Sequence, residues 1–192
     1  MIKIKNIKYY LLKFKLLIGV LSLLYSLSAN AQGYTEHELK AGYLYNFSKF
    51  VTWSDNAFTS KTSPFIIGIY GDDSFERVLE KVLKDRKILN RNWVAIRYDA
   101  PEDIERCHIL FVSEMSRLEL KELFKIIKEK SILTVGNNIE DFCELGGIIN
   151  FTSKHSKYRF HINNNAAKRK KIIISSKLLA LSKIITEDEI KF

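Results

Sequence analysis

Residues 146–185 read GGIINFTSKHSKYRFHINNNAAKRKKIIISSKLLALSKII, and how this stretch folds decides the architecture. Gly146-Gly147 is a turn signal, and the run from Gly147 to Phe151 is apolar. After a polar turn, Tyr158, Phe160 and Ile162 alternate with Arg159, His161 and Asn163. A period of two marks a half-buried strand, so the two runs are expected to pair as a hairpin. The period then changes. Ile174, Leu178, Leu181 and Ile185 recur at helical spacing, which predicts one stripe of a closing C-terminal helix. Ser175 or Ser176 is placed to cap its first turn. Two strands and a helix of this kind belong to a larger sheet.

The residues upstream supply that sheet. Thr35 and Glu38 form a capping box, and Leu39, Tyr43, Phe47 and Phe50 then fall on one helical face that should run to Trp53-Ser54. Gly42 beside that face would permit close packing. Phe65 to Tyr70, Trp93 to Tyr98, His108 to Val112 and Ile132 to Val135 read as apolar strands. Between them lie helical spacings. Phe75, Val78, Leu79, Val82 and Leu83 follow a second possible box at Asp73 and Glu76. Leu120, Leu123, Phe124 and Ile127 follow a third at Ser116 and Glu119. Alternating strands and helices predict a layered α/β domain with a mostly parallel sheet. The C-terminal hairpin adds an antiparallel part, and a C-terminal helix closes the domain.

The first 31 residues read as a signal peptide rather than as part of the fold. Five Lys precede an apolar run of twelve, Leu16 to Leu27, and Ala29-Asn30-Ala31 has the small-x-small form of a cleavage site. Twelve helical residues span only ~18 Å, short of the ~30 Å hydrocarbon core. Cleavage leaves residues 32–192 as a single domain, expected in the periplasm. Without the five leader Lys, 26 basic residues face 22 acidic ones, a net charge of +4. The +9 of the full chain is therefore partly the leader's, and no nucleic-acid partner is expected.

Cys107 and Cys143 are the only cysteines. In an oxidising compartment they can form a disulfide, worth about 3–4 kcal/mol in the chain-entropy model. The other reading is two buried thiols.

Ligands of open α/β sheets bind beyond the carboxyl ends of the strands. Asp72, Asp73, Tyr98, Asp99, Ser113, Glu114, Asn137 and Asn138 stand there, as a small-molecule cleft or as ordinary caps and turns. No catalytic, metal or cofactor set is visible. Gly68-x-x-Gly71 lacks the dinucleotide-binding order, Ser113 lacks the nucleophile-elbow context, and His37, His108, His155 and His161 have no metal-ligand spacing. The aromatics Tyr43, Phe47, Phe50 and Trp53 are either core or a partner or dimer face. Lys168 to Lys171 is either a solvated corner or a contact for an acidic partner or an anionic membrane.

The stretch from Gly146 resembles the C-terminal signature of the YfiR family of exported regulatory proteins. It has the same order of Gly-Gly, apolar strand, Arg-Phe-x-Ile-Asn, Ala-Ala, basic run, Ile-Ser-Ser and Leu-Leu-x-Leu. KAGYLYNFSKFVTWSD, residues 40–55, is similar to the family's N-terminal signature, an aromatic helix ending in Phe-x-x-Trp. Ser54 replaces a frequent Pro, and His161 replaces a frequent acid. The resemblance implies a periplasmic regulator without enzymatic activity. Such a protein represses an inner-membrane signalling protein such as a diguanylate cyclase, until an outer-membrane-associated partner removes it. It also implies a homodimer. Two other classes stay open: a small-molecule-binding module that tunes a sensor such as a histidine kinase, and an exported hydrolase.

Overall fold

The apolar run FIIGIY becomes strand β2 (Phe65–Tyr70) at the heart of a seven-stranded sheet. A computed structural model describes residues 34–71, 74–152 and 159–191. The expected signal peptide, Asp72, Asp73, His155 and Tyr158 lie outside these residues. Residues 36–192 form one compact unit.

In chain order, α1 (Glu36–Phe50) leads into the two-residue strand β1 (Val51–Thr52) and then into β2. Next come α2 (Phe75–Leu83), β3 (Trp93–Tyr98), β4 (Ile109–Val112), α3 (Arg117–Ile126) and β5 (Leu133–Gly136). The C-terminal part holds the hairpin strands β6 (Ile149–Phe151) and β7 (Phe160–Ile162), then α4 (Asn164–Arg169), β8 (Ile173–Ile174), α5 (Ser176–Leu179) and β9 (Lys183–Ile184). The large sheet runs β3-β2-β4-β5-β6-β7-β9, and all its pairs are parallel except the β6–β7 hairpin.

Strand order explains the layers. From β2 the chain crosses to β3 on one side, and from β4 it crosses to β5 on the other. Right-handed crossovers in opposite directions place α2 and α3 on opposite faces. On the first face Leu44 and Phe47 of α1 and Phe75, Leu79 and Leu83 of α2 cover a cluster that runs across the sheet to Phe160 and Ile162. On the second face Leu120, Leu123 and Ile127 pack with Leu110, Val112, Phe142 and Cys143.

The strands, the β6–β7 hairpin and the Ser116–Glu119 capping box match the sequence reading, and the hairpin pairs Ile149 with Ile162. Three details differ. The buried face of α1 is Lys40, Ala41, Leu44, Phe47 and Ser48, while Leu39 and Phe50 are 44% and 38% exposed. Small Ala41 and Ser48 sit against the core, and the helix ends at Phe50 because Val51 and Thr52 enter a strand. The closing helix is a single turn, α5, capped by Ser175 as expected. Its flanks are strands instead, Ile173–Ile174 on β1 and Lys183–Ile184 on β7. Backbone pairing and the β-branched Ile174 and Ile184 outweigh a spacing that a helix would also satisfy. Finally, Asn163 caps the unforeseen helix α4, its side-chain oxygen accepting from Ala166 N–H at 2.8 Å.

Candidate functional site

At the carboxyl edge of the sheet, polar side chains are tied into the fold itself. Gly71 follows β2 with φ +108°, and a Cβ there would lie 2.2 Å from the Ser113 carbonyl oxygen. The β2 and β4 ends therefore close on each other, and Ser113 is fully buried, its N–H donating to Tyr70 O at 3.0 Å. Asn137, after β5, accepts a hydrogen bond from Lys40 Nζ. Lys40 is buried and also pairs with Glu36 one turn earlier, so the first turn of α1 straps the mouth of β5. Tyr98 lies across Gly68, whose missing side chain leaves room for the ring, and its hydroxyl donates to Arg106 O at 3.2 Å. Burial pushes the Tyr98 phenol up to about 12. Asp99 pairs with Arg97 in solvent. Glu114 and Asn138 are exposed loop residues in the left-handed region, φ 55° and 56°.

Among the described residues, two cavities lie elsewhere. One of about 350 Å³ sits between the end of α3 and α4, lined by Phe124, Lys128, Leu145, Arg169 and Lys170 among others. The second, about 360 Å³, lies over β1 and β8. Neither is lined by a residue of the cleft expected from the sequence.

The aromatic face divides. Tyr43 is half-buried, its ring 5.8 Å from Phe151 and 5.9 Å from Phe160, and Phe47 lies 5.3 Å from Phe160. Trp53 is buried against Phe65, and its Nε1 donates to His108 O at 3.2 Å. Phe47 and Trp53 are thus core residues, and Phe50 is the member of the four most open to solvent. These contacts join both sequence signatures in space: helix α1 rests on the hairpin rings, and Val51 pairs with Ile174.

Titratable groups inside the fold have structural partners. His108 stacks between Phe58 at 4.4 Å and Phe65 at 4.7 Å. Its Nδ1 accepts from Ile66 N–H, so Nε2 carries the proton and donates to Ala57 O at 3.1 Å. Burial lowers its pKa to about 4. On the polar side of β7, burial and then Lys183 lower His161. Both cysteines are free and buried in the structure. Cys143 Sγ donates weakly to Ile148 O and His161 O, each at 3.7 Å, whereas Cys107 lies under Gly68. Burial pushes the Cys107 thiol up to about 12 and Cys143 upward too, which makes poor nucleophiles of both.

The basic run also divides. Lys170 turns inward, and its Nζ donates to the carbonyls of Ile127, Lys128 and Lys130 at 2.7, 3.1 and 3.2 Å. An ammonium group here caps the negative end of α3. Burial pushes Lys170 down to about 8. Lys168, Arg169 and Lys171 remain exposed. Asn163 is the other functional-looking polar residue that pattern reading missed: fully buried, it donates to Cys143 O at 2.8 Å. The first Asn after an alternating strand, three residues before Ala-Ala, is the signal for such a cap.

No curated protein matches the chain. The YfiR/HmsC-like family matches residues 37–183, from the first turn of α1 to the start of β9, and the chain belongs to that family.

Proposed function

We propose that this chain is a periplasmic, non-enzymatic regulator. It would bind the periplasmic portion of an inner-membrane signalling protein such as a diguanylate cyclase and hold it inactive. The observation that carries the reading is the family match over nearly the whole compact unit. The fate of the reactive residue types supports it as well: Ser113, His108 and both cysteines are buried in structural roles. No helix among the described residues is long and apolar enough to cross a membrane.

Repression of this kind is a shift of populations. Driving a cyclase from 1% to 99% inactive requires a preference of about 10⁴-fold for the inactive state. Deleting the gene should raise cellular cyclic-di-GMP, and affinity capture on the purified protein should recover a signalling protein from solubilised inner membranes. Unchanged cyclic-di-GMP together with capture of no signalling protein would reject the proposal.

A further inference from the structure

Charge along this chain is segregated, and part of the basic segment forms a ribbon outside the main sheet. Residues 145–186 contain nine Lys and Arg and not one Asp or Glu. Within them, β8 pairs with β1 in an antiparallel ribbon separate from the main sheet. Val51 and Ile174 face inward, so Thr52 and Ile173, directly opposite each other, face outward. Ile173 is 68% exposed, and Phe50, joined to β8 through the Ser175 N–H to Phe50 O bond, is 38% exposed. The groove of about 360 Å³ over this ribbon is walled by Trp53, Ile172 and Ile173, with Lys168 and Lys171 also lining it. Both lysines are exposed, and neither forms an ion pair among the described residues.

We infer that the β1–β8 ribbon docks on anionic phospholipid headgroups, so that the domain rests on a membrane surface. The inference stands independently of the regulatory reading. Three features select lipid over an acidic protein. Lysine ammonium groups are point charges on flexible stems, which need no fixed partner geometry and so suit a fluid array of phosphates. The apolar elements are single aliphatic and aromatic tips rather than a broad flat patch, and a tip can enter the headgroup layer alone. No carboxylate lines the groove among the described residues, so its lining does not repel a negative plane. Each lysine near such a surface is worth about fivefold in binding, the equivalent of ~1 kcal/mol.

The test is sedimentation of the purified protein with vesicles of phosphatidylcholine alone, or of phosphatidylcholine and phosphatidylglycerol at about three to one. Binding is expected to the anionic vesicles only, and 0.5 M salt should remove it. K168Q/K171Q should weaken binding more than tenfold and I173S severalfold. K121Q, on the exposed side of α3, should change nothing. All these positions are exposed, so thermal melts should match the parent protein and exclude misfolding. Equal binding to both vesicle types, no binding to either, or full binding by K168Q/K171Q overturns the inference. So does an acidic polypeptide captured through Lys168 and Lys171 while the anionic vesicles are ignored.

Discussion

The two faces of the large sheet are held by different forces. The face under α1 and α2 is a continuous apolar layer in which Phe47, Phe65, Phe111, Phe151 and Phe160 span the strands. The opposite face has one long helix, α3, and leaves Val94 and Ile96 of the edge strand 40% and 36% exposed. There, polar bonds position the covering elements. Ser116 and Glu119 cap the start of α3, and Lys170 caps its end. Arg117 and Lys191 both pair with Asp141, and Asn163 holds the Cys143 carbonyl. Where less apolar area is buried, geometry must be set by directional contacts, each worth about 1 kcal/mol net but costlier to break when its partner is buried.

That contrast can be broken most forcefully on the aromatic face. Phe47→Ala should cost about 3–5 kcal/mol in chemical denaturation, because the void opens between α1 and the hairpin. A loss under ~1 kcal/mol would mean that α1 collapses onto the hairpin without that ring.

Acid should come next, through His108. The unfolded chain takes up the imidazole proton near pH 6.5, the folded chain near 4. Between those values the unfolded state binds more protons, so stability falls as pH drops, and the loss levels off below 4. The full difference is up to about 3 kcal/mol, with His161 acting in the same direction. Imidazole resonances followed by NMR check it directly; a His108 midpoint near 6.5 would contradict its place between two rings.

The smallest effect sharpens the polar side. Lys170→Met keeps the stem but leaves three carbonyls without their ammonium donor, and should cost about 1–2 kcal/mol at pH 7. Unchanged or increased stability would show that burying the charge costs as much as the three bonds return.

Most of the fold was legible because its signals are local. Continuous apolar runs marked β2 to β5, alternation marked β7, and a Ser and a Glu three apart marked the start of α3. The C-terminal twenty residues were not, since a four-three-four spacing fits both a helix and a strand-turn-strand. Pairing decides between them, with β1 over a hundred positions away for Ile173–Ile174 and with β7 for Lys183–Ile184. The candidate site fared likewise. The residues of the carboxyl edge were placed at the strand ends, but the partner of Asn137 is a lysine 97 positions earlier, which no local pattern reveals. The basic run was visible as a block, yet only the end of α3 separates its inward Lys170 from its outward neighbours.

The pairing of Val51 with Ile174 also imposes a schedule. A polypeptide leaves the ribosome with its amino end first, so α1 is made early and must wait for almost all later residues before its rings are covered. Closure over such a distance is slow. Until then Phe47 lacks the hairpin rings of Phe151 and Phe160, and a chain cut short before β7 never supplies both. The ribbon can therefore form only once synthesis has passed Ile174.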